Sequence, residues 1–155
     1  MIYVFDSDTL SNLFKNFYQS RFPSLWEKFD NAVADETIIS VSEVYEEIHD
    51  HGERLSKWVK QNKKVFQRPS PEEMGLVSEI FKVSHFQSLV KRQSLLNGKP
   101  VADPFVIAKA WHINACVVTQ EKEKPNAAKI PNVCKHFNVD CTDLEGFMER
   151  ENWTF

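Results

Sequence analysis

The chain has 155 residues, 42% of them apolar and twelve of them phenylalanine, with a net charge of −3. That composition suits one domain with a sizeable core and argues against disorder. The charge excludes a strong bulk attraction for nucleic acid, so such a partner would need a local basic patch or a metal offsetting acidic residues.

In chain order, residues 2–6 read as a short, fully buried strand. Residues 7–18 fit a helix, with Leu10, Leu13, Phe14 and Phe17 at spacings of three and four. "FPSLWEKFDNAV" starts a second helix, with Ser24 as its cap and Leu25, Trp26, Phe29 and Val33 inward. "ETIIS" predicts a second strand and "SVSEVYEEIHD" a third helix that breaks at Gly52. "ERLSKWVKQNKK" predicts another amphipathic helix, and "QRPSPEE" a loop leading into a helical region that runs to about Leu96. Residues 103–113 form a helix that is apolar nearly all round, "ACVVT" a third strand and "QEKEKPNAAK" a charged loop. Residues 130–137 predict a short helix, "NVDC" a fourth strand and residues 142–151 a last helix. Continuous apolar strands alternating with helices point to a parallel sheet covered on both faces.

Three widely spaced cysteines, Cys116, Cys134 and Cys141, without a CxxC pair argue against a disulfide framework. Cys134, His136 and Cys141 match no common zinc spacing. No apolar run approaches the ~20 residues of a membrane span, and no secretion signal is legible. No membrane partner and a cytoplasmic location are therefore expected.

In parallel α/β sheets, ligands sit at the carboxyl ends of the strands. Here acids follow each strand. Asp6 and Asp8 follow the first; the helix bearing Glu43, Glu46 and Glu47 follows the second; Asp103 opens the helix before the third; Glu121 and Glu123 follow Thr119 at its end. Gathered carboxylates resist ionisation unless a cation offsets them, and magnesium or manganese suits oxygen donors. Each acid also has a plainer reading. Asp6, Asp8 and Asp103 could cap helices, and the glutamates could be solvated. Helix geometry ranks the three glutamates: against the buried stripe of Val41, Val44 and Ile48, Glu47 lies at the border, Glu43 further off and Glu46 opposite.

The stretches "YVFDSDTL", "SVSEVYEEI", "ADPFVIAKAW" and "VVTQEKEK" resemble the four acidic motifs of PIN domains, in the right order and across most of the chain. The match is closer to a subgroup of small prokaryotic PIN-like proteins of poorly defined function. Trp58 and the "KIP-x-VC" run from Lys129 to Cys134 carry that likeness. The resemblance implies a three-layer α/β/α fold with a central, mostly parallel sheet of four to five short strands. Residues 1–155 would be a single PIN-like domain, enlarged by helices at about 53–97. It implies a magnesium- or manganese-dependent nuclease, one or two ions being held by Asp6, Glu47, Asp103 and Glu121, with Thr119 orienting the site. Hydrolysis of RNA phosphodiesters is the expected reaction. Many PIN domains of the VapC type are toxins, so an antitoxin protein and a homodimer are candidate partners. Many relatives carry aspartate where Glu121 stands, so Glu123 is an alternative ligand, and Asp8 and Glu43 are supporting acids.

For RNA contact, Lys57, Lys60, Lys63, Lys64 and Arg68 cluster after the glutamate helix, and Lys91, Arg92 and Lys99 before Asp103. Lys60, Lys63 and Lys64 share a helix face at spacings of three and four. "HDH" at His49–His51 fits a metal poorly, since residues i and i+2 do not share a helix face. Two other functions compete. "VFDSDTL" also resembles the first motif of haloacid-dehalogenase-type phosphatases, in which Asp6 would be the nucleophile, although Leu10 stands where that family usually has Thr or Val. The chain could also be a catalytically inactive PIN-like protein-binding module, against which stand four filled acidic positions.

Overall fold

The strands are short because only a few residues in each apolar run are sandwiched between helices. A computed structural model describes residues 1–89 and 101–155. The strands are β1 (Tyr3–Phe5), β2 (Ile38–Val41), β3 (Phe66–Gln67), β4 (Cys116–Val118) and β5 (Cys141–Thr142). All neighbours pair in parallel, in the order β3-β2-β1-β4-β5. This is the expected α/β architecture, with helices on both faces of the sheet.

The described helices are α1 (Ser7–Asn16), α2 (Pro23–Ala34), α3 (Ser42–Ile48), α4 (Glu53–Gln61), α5 (Pro71–Lys82), α6 (Ala102–Ile113), α7 (Ile130–His136) and α8 (Leu144–Arg150). Helix α6 packs on β1, β2 and β4, with α5 and α7 against it. Its residues are buried nearly all round, as its composition requires. An aromatic cluster of Phe14, Trp26, Phe29 and Trp58 joins α1, α2 and α4. On α8, Phe147 meets Tyr3 and Phe5 edge-on at 4.7 and 5.1 Å. These contacts belong to one continuous core. No helix among the described residues is long and apolar enough to cross a membrane.

Several local expectations are corrected. Helix α2 starts one residue earlier than its expected cap, with Pro23 in the first turn and no capping bond from Ser24. The helical region expected to run to about Leu96 is interrupted after Lys82: a 3-10 turn at Ser84–Phe86 follows the extended Val83, helix resumes at 87–89, and the remainder lies outside the described residues. Helix α4 ends at Gln61, and Lys63–Val65 is a separate 3-10 turn, so Lys60, Lys63 and Lys64 do not share one helix face. The expected loop after it hides β3, whose two residues pair with Ser40 and Val41. The last strand is Cys141–Thr142 rather than 138–141. Gly52 does mark a break: its φ of 77° is a conformation that suits glycine, and it leads into α4.

The sheet order reverses at β1, because β2 lies on one side of it and β4 on the other. A crevice at the carboxyl ends of β1 and β4 is where such sheets bind ligands.

Candidate functional site

Register places the first two pieces of the site. Phe5 pairs with Val118, so the next residues along, Asp6 and Thr119, leave the sheet side by side. The Thr119 hydroxyl donates to Asp6 Oδ2 at 2.5 Å. The other carboxylate oxygen, Oδ1, accepts from the Thr9 backbone N–H at 2.8 Å, which makes Asp6 the N-cap of α1. Asp8, the other acid that could have capped this helix, stands exposed in the first turn. The capping residue had to be the one at the strand–helix junction with extended backbone, and that is Asp6 (φ −83°, ψ 174°).

Asp6 is only 3% exposed. Burial pushes its carboxyl up to about 7, although the hydrogen bonds from Thr119 and Thr9 pull the other way. The nearby like charge of Asp8 adds to the rise, and Asp6 takes part in no salt bridge among the described residues.

Glu47 ties together two other motifs. Its Oε2 accepts from the Ser7 hydroxyl at 2.7 Å and its Oε1 from the Ala102 N–H at 2.8 Å. Ser7 follows Asp6 and begins α1; Ala102 precedes Asp103 and begins α6. One carboxylate therefore satisfies donors at two helix N-termini, where negative charge is favoured. Asp103 sits half-buried in the first turn of α6, one residue beyond that clamp. The side-chain bonds thus bring the Asp6, Glu47 and Asp103 motifs to one edge of the sheet.

Glu121 belongs to the same edge but turns differently. Its N–H donates to Thr119 Oγ1 at 3.1 Å, while its Oε2 accepts from the Ile130 N–H at 3.3 Å, at the start of α7. It lines a cavity of about 470 Å³ with Thr119, Lys135 and Asp143. Glu123 is exposed and pairs with Lys135 at 3.5 Å. Glu43 is buried away from Ser7 and Ala102. Its Oε1 has no hydrogen-bond partner among the described residues, and burial together with the charge of Glu73 raises its pKa.

Sequence reading missed Glu73 and Lys109, a buried ion pair at 3.1 Å between α5 and α6. A lysine inside an all-round apolar helix was the available signal. Ser7 was also missed; a hydroxyl beside a key acid carries no pattern of its own.

Lys57, Lys60, Lys63, Lys64 and Arg68 are all exposed. Lys91, Arg92 and Lys99 lie outside the described residues. His49 stacks on Tyr45, and His51 is exposed beside Asp50. Cys134 is buried against Cys141, whereas His136 is exposed with its ring near Phe86 and Phe137.

Among the described residues, no three His, Cys, Asp or Glu side chains form a ready ion cage. The donor chemistry nonetheless fits a hard divalent cation. Every donor is a carboxylate oxygen, and the most buried one has no salt-bridge partner among the described residues. Magnesium commonly takes one or two carboxylates and completes its sphere with water and substrate phosphate. Asp6, with Glu47 or Asp103, supplies that number.

No curated protein and no solved structure matches this chain. Residues 3–155 match the family described as a domain of unknown function (DUF4411), and the chain belongs to that family.

Proposed function

We propose that this protein is a divalent-metal-dependent nuclease that hydrolyses RNA phosphodiesters at the Asp6 edge of the sheet. The observation that carries this reading is Asp6 itself: a buried carboxylate with no salt-bridge partner among the described residues, at the sheet's reversal point, where the Glu47 and Asp103 motifs also arrive. The likeness of the four acidic motifs to PIN domains supports the same chemistry.

Asp6, Glu47 and Asp103 would hold magnesium or manganese, with Glu121 as the outlying fourth acid. The bound ion would supply Lewis acidity toward the phosphate and a more acidic water. Thr119 and Thr9 fix the two oxygens of Asp6, so the carboxylate meets a ligand without having to reorganise. Glu47 holds the starts of α1 and α6 together and so keeps Asp103 near Asp6. The exposed Lys60, Lys63 and Lys64 would contact the RNA backbone. In this reading the protein is the toxin of a toxin–antitoxin pair, with an antitoxin protein as its partner.

The test is manganese-dependent cleavage of an RNA pool by the wild-type protein and the Asp6→Asn variant. Cleavage by the wild type that disappears with EDTA and in the variant is expected. Equal cleavage by both proteins, or none by either, overturns the proposal.

A further inference from the structure

Next to Thr119 in the chain, Gln120 lines a second cavity of about 660 Å³, between α1 and α8. Phe17, Met148 and Trp153 form its apolar walls. Trp153 is well anchored: its ring meets Phe147 at 4.9 Å, and its backbone N–H donates to the Met148 carbonyl at 2.8 Å. Asn152, with φ of 54°, turns the chain back after α8 to bring it there.

The polar rim has a defined pattern. Gln120 Oε1 accepts from the Leu144 N–H at 2.9 Å, which fixes the amide and leaves its Nε2 donors for a guest. Asn12 Oδ1 accepts from the Asn16 amide at 2.9 Å, which likewise leaves Asn12 Nδ2. Glu145 and Glu149, one turn apart on α8, bring exposed carboxylates to the same rim, and neither has an ion-pair partner among the described residues. The cavity therefore offers flat apolar walls, amide donors and carboxylate acceptors.

We propose that this cavity binds a guanine base of the nucleic acid whose phosphate lies at Asp6. The proposal rests on the nuclease reading for the neighbouring phosphate. The volume is that of a small-molecule site, and aromatic walls stack any base. The carboxylates repel phosphate, so the occupant is a base rather than the backbone. They also discriminate between bases. A carboxylate accepts two parallel N–H groups, and guanine is the one common base with two adjacent donors, N1–H and the N2 amino group, on its pairing edge. Its O6 and N7 acceptors suit the amides of Gln120 and Asn12. Adenine, cytosine and uracil would set an acceptor against a carboxylate lone pair.

The experiment is titration of the nitrogen-15-labelled protein in EDTA with the trinucleotides UGU, UAU, UCU and UUU, followed by amide and indole NMR shifts. UGU is expected to bind about tenfold more tightly than the others, moving the Leu144 amide and the Trp153 indole. The Glu145→Gln/Glu149→Gln variant, altered only at exposed positions, is expected to lose that preference. Equal affinity for all four, or shifts that miss Leu144 and Trp153, overturns the proposal. Because no metal is present, the result is independent of cleavage. Guanine-selective binding without Asp6-dependent hydrolysis supports the pocket and overturns only the nuclease reading. Asp6-dependent hydrolysis with equal trinucleotide binding does the reverse.

Discussion

Replacing Asp6 with asparagine should stabilise the metal-free protein, and by more as the pH rises. Burial raises the Asp6 carboxyl from its ordinary 3.8 to about 7. The folded state therefore holds this proton more tightly than the unfolded state does. Stability from the protonated form is complete below pH 3.8 and is lost as pH rises through about 7. At about 1.36 kcal/mol per pH unit, the cost is about 2 kcal/mol at pH 5 and about 4 kcal/mol at pH 8. Asparagine carries no charge and still accepts from the Thr9 N–H as an N-cap. Its amide must, however, donate toward Thr119 Oγ1, which already accepts from Glu121, and this takes back part of the gain. A net stabilisation of about 2–3 kcal/mol at pH 8 is expected, or roughly 5–10 °C in Tm for a chain of this size. Thermal and urea melts of both proteins in EDTA at pH 5 and pH 8 measure it. Curves offset equally at the two pH values, or a variant less stable at pH 8, would refute the idea that Asp6 is a strained, uncompensated charge. Manganese should then reverse the order by stabilising the wild type alone, since only the carboxylate gains a counter-charge.

Glu47→Ala strands the Ala102 N–H and the Ser7 hydroxyl and should cost about 1–3 kcal/mol in urea unfolding. Glu47→Gln keeps an acceptor for Ala102 and should cost less than about 1 kcal/mol while still abolishing cleavage; equal stability losses would sink the clamp. Lys109→Met leaves Glu73 buried and unpaired, and should cost about 3–5 kcal/mol. The Glu73→Leu/Lys109→Met double variant should recover most of that loss. A double variant no better than the single would show that the pair itself, rather than the abandoned charge, carries the stability.

Much of the fold was legible because parallel α/β proteins write it into local patterns. Continuous β-branched runs mark strands buried on both faces, and the nearly all-round apolar stretch at 103–113 marks the helix that packs on β1, β2 and β4. Helical angles put Glu47 at the border of its buried stripe, and there it meets Ser7 and Ala102, but they also put Glu43 off that stripe, whereas Glu43 is buried. The two-residue β3 was not legible, because Phe66 and Gln67 have no period to read and become a strand only by pairing with β2. The same holds for the capping role of Asp6. Asp6 and Asp8 are equivalent as sequence, and the choice follows from where β1 stops, which its pairing with β4 decides. The sequence by itself determined which residue types and which periods the chain carries, and hence the sheet, the helices and four acidic motifs. Only the tertiary structure decided that Asp6 is buried, that Glu47 bridges two helix starts and that Glu121 turns toward α7. Burial and long-range hydrogen bonds depend on what packs against a residue, and no local window contains that.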